Sequence, residues 1–115
     1  MLDTSIVIDA LRGSTCYEPG KVSALTVVEV LRGIPEEKRA AAKALLEEAY
    51  SVVGITNNVM LDYCRLYDSS KEDGCLLPDA DLIIAASALA EGEPILTKDD
   101  AFRHLEKYGL RLVLK

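Results

Sequence analysis

Two rhythms of apolar residues alternate along this chain. Short apolar runs at Met1 to Asp3, 51–56 (SVVGIT), 94–97 (PILT) and 110–114 (LRLVL) read as strands. Each gap between them carries helical spacing, which predicts helices over 5–12, 23–32, 36–50, 57–71, 79–91 and 101–108. Strands that alternate with helices imply crossover connections and a parallel sheet, the α/β class.

Local signals support these boundaries. Pro35 sits at a first-turn position, Gly33 and Gly109 follow helices as C-terminal caps, and Thr56 or Asn57 can cap the helix after them. Val59, Tyr63, Leu66 and Tyr67 recur at helical spacing and predict one buried stripe. The stretch 12–21 (RGSTCYEPGK) is rich in turn formers and reads as the longest loop, while 69–74 (SSKEDG) ends the fourth helix in solvated charge.

A length of 115 residues fits one domain over 1–115, and a composition that is half hydrophobic but only 5% aromatic predicts an aliphatic core. The formal net charge of −6 opposes polyanions, so any nucleic-acid chemistry needs local help such as a bound cation. Cys16, Cys64 and Cys75 form no CxxC pair and leave one thiol over, which predicts neither a zinc site nor a disulfide framework and suits reduced thiols in the cytoplasm. The start shows no basic leader followed by a cleavage site, and the apolar run at 82–90 (LIIAASALA) is far below the roughly 18 residues that a span needs. The expectation is a soluble, untargeted protein with no membrane partner.

Four acids stand in places where a structural residue would be expected. Asp3 and Asp99 each follow a predicted strand, at the carboxyl edge where ligands of parallel sheets collect. Asp81 falls in the first turn of an apolar helix, where the dipole favours an ionised carboxylate, and Asp79 is the stronger candidate to cap that helix. Glu29 lies among Val27, Val28, Val30 and Leu31; it is either buried with a partner, aimed into a cleft, or paired with Arg32 on a solvated face. Asp3 has a capping alternative too, although Thr4 and Ser5 are available for that task, and either Asp99 or Asp100 caps the final helix.

Converging carboxylates repel one another unless a divalent cation neutralises them. An all-oxygen ligand set suits Mg²⁺ or Mn²⁺, and the chemistry it serves is phosphodiester hydrolysis. Thr4, Ser5 and Thr97 can orient the acids or water, and Arg12, Arg32, Lys98 and Arg103 are available for phosphates. His104, the sole histidine, reads as a helix-surface residue. No Walker, GxGxxG, GxSxG or HExxH motif is present.

Four segments, LDTSIVIDALRG (2–13), SALTVVEVLRG (23–33), LPDADLIIAASALAEG (77–92) and ILTKDDAF (95–102), together resemble the PIN-domain family, and within it the VapC-type toxins of toxin–antitoxin modules. Their order and separation run through nearly the whole chain. The resemblance implies a three-layer α/β/α fold with a central parallel sheet of four or five strands. It implies a four-acid site at Asp3, Glu29, Asp81 and Asp99, with Asp3, Asp81 and Asp99 holding the metal. It further implies Mg²⁺- or Mn²⁺-dependent endoribonuclease activity on RNA, a homodimer, and an antitoxin that covers the cleft. Ala101 stands where many relatives carry a further acid.

Three alternatives compete with this reading. A haloacid-dehalogenase-type phosphatase requires a second acid two residues after the first, where this chain has Ser5; a receiver domain requires an acceptor Asp after the middle strand, where 51–58 offers none. A non-catalytic module that docks a basic partner through the acidic cleft suits the net charge, and tight Mn²⁺ binding discriminates against it.

Overall fold

The computed structural model describes residues 1–13 and 19–115. The predicted loop at 12–21 thus falls largely outside the described residues, as does Cys16. Four strands form two parallel pairs, and a fifth extended segment lies between them. Strand β1 (Lys21–Ser23) pairs with β2 (Ser51–Val53), and β3 (Ile95–Thr97) pairs with β4 (Leu112–Leu114). The extended segment Met1 to Asp3 joins the two ladders: Leu2 bridges Leu96 in parallel, and the Leu2 amide donates to the Lys21 carbonyl at 2.9 Å. The spatial order is therefore β2, β1, the 1–3 segment, β3, β4.

Each ladder strand is only three residues long, and β1 lies in a stretch whose turn-forming composition and helix-like sequel hid it. The predicted strands at 51–56 and 110–114 are shorter in fact, and the 1–3 segment contributes a single bridge.

Alternation along these segments sends side chains to both faces. Met1, Ile95, Leu110 and Phe102 enter one core with α4 (Asn57–Glu72) and α5 (Asp79–Glu91). Leu2 and Val22 enter a second core with α1 (Thr4–Leu11), α2 (Ala24–Arg32) and α3 (Glu36–Ala49). The sheet is thus sandwiched between helical layers, the α/β/α arrangement. In α5 the small side chains Ala85, Ala86 and Ala88 are wholly buried, which lets this helix lie close to its neighbours.

Several local expectations need correction. Pro35 is the N-cap of α3 rather than a first-turn residue, and its fixed φ of −56° sets up the first turn from outside. Gly33 ends α2 at φ −86°, open to any residue, whereas Gly109 takes the left-handed φ of 103° that favours glycine. The last helix, Asp100–Tyr108, is a 3-10 helix. Thr56 caps α4 through its side chain, which accepts from the Val59 amide. In the predicted stripe Val59 and Leu66 are buried while Tyr63 and Tyr67 are half-buried and stack on each other. Ser70, expected in solvated charge, is buried because α4 continues through it to Glu72.

Candidate active site

The parallel register decides what lies beside Asp3. Since Leu2 is opposite Leu96, Asp3 falls abreast of Thr97, and the Thr97 hydroxyl donates to Asp3 Oδ2 at 2.7 Å. Thr97 Oγ1 also accepts from the Asp99 amide at 3.0 Å. One buried hydroxyl therefore fixes the first acid and the chain that carries the last.

Asp3 is buried, yet its carboxylate is well supplied with donors. Oδ1 accepts from the Thr4 amide at 2.8 Å, making Asp3 the N-cap of α1, and Oδ2 also accepts from the Ser5 hydroxyl at 3.3 Å. The expectation that Thr4 or Ser5 would cap this helix is thus overturned. The amide-donating end of a helix supports a negative charge, so Asp3 fulfils the cap and still sits at the carboxyl edge of the sheet.

Glu29 arrives on α2, in the same helical layer as α1. Its Oε1 accepts from the Thr4 hydroxyl at 2.7 Å, so its partner is a neighbour of Asp3 and not Arg32. The Thr4 hydroxyl lies 3.3 Å from that of Thr26, a buried residue one turn before Glu29. Thr26 went unnoticed in the sequence, where its only signal is a polar residue three positions before an equally misplaced acid on an apolar helix.

Asp81 stands in the first turn of α5, and its carboxyl is pushed up to about 6. Burial is the first cause, followed by the charges of Asp3, Asp99 and Glu29. The charges of Asp3, Asp99 and Glu29 thus all reach Asp81. Among the described residues, no three acid, histidine or cysteine side chains already converge into a ready-made cage. Hydrogen bonds from Thr97 and Thr4 hold Asp3 and Glu29.

Asp79 does not cap α5; Pro78 holds the N-cap position without a side-chain bond, and Asp79 Oδ1 instead accepts from the Tyr63 hydroxyl at 2.6 Å. That bond pushes the Tyr63 phenol up to about 12. Asp99 is the N-cap of the 3-10 helix, its Oδ1 accepting from the Ala101 amide at 2.9 Å, and Asp99 itself is exposed. The ammonium of Lys98 pairs with Asp9 of α1, an acid the sequence did not single out although it breaks the apolar run of that helix. Arg103 lies 3.6 Å from Glu106, while Arg12, Arg32 and His104 are exposed.

The donor set around Asp81 consists of carboxylate and hydroxyl oxygens, the hard ligands that match Mg²⁺ or Mn²⁺ in preference to softer metals. A divalent cation bound there would offset the part of the Asp81 rise that the neighbouring carboxylates add to burial.

Comparison with known proteins gives a consistent result. The family model for the PIN domain matches residues 1–108. Ribonuclease VapC1 of Methanocaldococcus jannaschii is 32% identical over 115 residues, covering 97% of this chain and 85% of that relative. Among solved structures, VapBC-5, a toxin–antitoxin system of Mycobacterium tuberculosis, aligns at 26% identity with a TM-score of 0.74, covering 99% of this chain and 96% of the other. VapBC-1 of nontypeable Haemophilus influenzae aligns with a TM-score of 0.81 at 24% identity, with the same coverage of 99% and 96%.

Proposed function

Because this chain belongs to the PIN-domain family, we propose that it is a divalent-cation-dependent endoribonuclease and the toxin of a toxin–antitoxin pair. The observation that carries the reading is the gathering of acids from separate crossovers: Thr97 ties Asp3 to the Asp99 backbone, Thr4 ties Glu29 beside them, and Asp81 feels all three. The ribonuclease name of the M. jannaschii relative supports the activity, and the VapBC structures support an antitoxin protein as partner.

In this reading Asp3, Asp81 and Asp99 hold Mg²⁺ or Mn²⁺, and Glu29 orients the attacking water. Bound among these carboxylates, the cation supplies activation of water and stabilisation of the leaving oxygen. The chain's own groups provide the positioning. Thr97 and Ser5 fix the Oδ2 lone pairs of Asp3, and Thr4 holds Glu29 Oε1 so that the other oxygen of that carboxylate remains for water. Burial of Asp3 excludes bulk water from one wall of the site.

Two copies of the chain form the working unit, for which Ile55, Met60 and Leu61 offer exposed apolar surface. Among the described residues no helix is long and apolar enough to cross a membrane. We place the protein in the cytoplasm, where Cys64 and Cys75 stay as free thiols.

The test is hydrolysis of single-stranded RNA with Mn²⁺, with and without chelator, by the parent and by Asp3→Asn. Cleavage by the parent that stops with chelator and is lost in the folded variant supports the proposal. Equal cleavage by both, or intact RNA throughout, rejects it and leaves the docking-module reading.

A further inference from the structure

A cleft opens between α1 and α2 and reaches one of the acids, Glu29. Its volume is about 260 Å³, its walls come from Ile8, Leu11, Val30 and Ile34, and Glu29 is part of its lining. Arg12 and Gly33 complete that lining. The geometry follows from helical spacing. On α1, Thr4, Ile8 and Arg12 recur every four residues, as do Glu29 and Gly33 along α2, so both helices present rows that lead away from the Thr4–Glu29 hydrogen bond. One helical turn, about 5 Å along the axis, leads from Thr4 to Ile8 on α1 and from Glu29 to Gly33 on α2.

We propose that this cleft receives the base of a nucleotide next to the scissile phosphate, and that Arg12 and Gly33 set which base it admits. The inference rests on the nuclease reading above and adds the element that selects among RNA sequences. Unstacked bases of single-stranded RNA are bound against apolar walls and guanidinium groups, and the cleft is lined by four apolar residues and by Arg12. Its volume falls just below the roughly 300 Å³ at which pockets for drug-sized ligands begin, which suits a single heterocycle. Charge also points to the same occupant. Among the described residues Arg12 is the only basic one in the lining, on a protein of net charge −6, so it offers a polyanionic substrate a local donor at a place where a base must be held. A nucleotide seated there runs from its base, past Glu29, to the carboxylates.

The experiment compares the parent with Arg12→Ala and Gly33→Ala on a pool of RNA of randomised sequence with Mn²⁺, sequencing the new ends. Gly33 tolerates the change: its φ is −86°, and an added Cβ meets nothing nearer than the Val30 carbonyl oxygen at 3.6 Å. The parent is expected to prefer particular bases at one position adjoining the cut. Arg12→Ala flattens that preference by roughly tenfold, and Gly33→Ala narrows the cleft and moves the preference towards pyrimidines. A parent that cuts without preference next to the cleavage point overturns the proposal, as do identical profiles for all three proteins. Variants that keep the parental profile but lose a protein partner assign the cleft to that partner and likewise overturn it. Failure of the nuclease reading is distinct, because the parent then leaves the pool uncut.

Discussion

The Thr97 hydroxyl donates to Asp3 Oδ2 at 2.7 Å, across 94 positions of sequence, and in the same geometry accepts the Asp99 amide. Replacing Thr97 by Val keeps the shape and removes both bonds. A buried, charge-assisted bond of this kind contributes about 1.5–3 kcal/mol, so Thr97→Val should lower the urea midpoint correspondingly. It should also weaken Mn²⁺ binding, because Asp3 loses its tether. An unchanged midpoint and affinity means that the hydroxyl is incidental.

Asp3 is both cap and candidate ligand, and two substitutions separate those roles. Asn retains a capping oxygen, so Asp3→Asn should keep the fold and lose Mn²⁺-dependent RNA cleavage. Asp3→Ala should in addition cost about 1 kcal/mol through the lost cap. Denaturation and cleavage measured side by side on both variants make the comparison.

Asp81 gives the account a pH signature. Its carboxyl is raised from 3.8 to about 6 by burial and then by Asp3, Asp99 and Glu29. The folded state therefore binds the proton more tightly than the unfolded one. For this group stability is fully present below about pH 4 and is lost as pH rises through about 6. In cation-free buffer, Asp81→Asn should accordingly stabilise the protein at pH 7 relative to the parent, with the gap closing at pH 4. Thermal melts at those two pH values check the sign. Mn²⁺ affinity of the parent should rise over the same interval, as the carboxylate ionises.

The candidate acids were legible in the sequence because carboxylates at strand ends and in apolar helices have few structural excuses. Asp3, Glu29, Asp81 and Asp99 each broke a local rule, and Asp81 feels the charge of the other three. What the sequence concealed is relational. That Asp3 is its own helix cap depends on the turn at Thr4, and that Asp79 serves Tyr63 depends on how α4 meets α5. Strand β1 escaped notice because three residues between a turn-rich stretch and a helix carry too little periodicity to register. The partners Thr26 and Asp9 became visible only once α1 was placed against α2 and β3.

The helical layer that carries Asp81 is anchored by fully buried side chains such as Leu66 on α4 and Phe102 on the 3-10 helix. Leu66→Ala should destabilise by about 2–5 kcal/mol, through lost transfer energy and the cavity left behind. The loss in chemical denaturation should come without any change in cleavage by the protein that remains folded. A drop in specific activity of the folded fraction means that the α4–α5 contact also sets the position of Asp81.

In the proposed site Asp3, Asp81 and Asp99 share one cation, with Glu29 alongside. The most direct measurement is an anomalous difference map from crystals grown with Mn²⁺. It should show a peak within ligand distance, roughly 2–2.6 Å, of oxygens from at least two of those three aspartates. Crystals of RNA-cleaving protein with no such peak, or with Mn²⁺ bound elsewhere, contradict it.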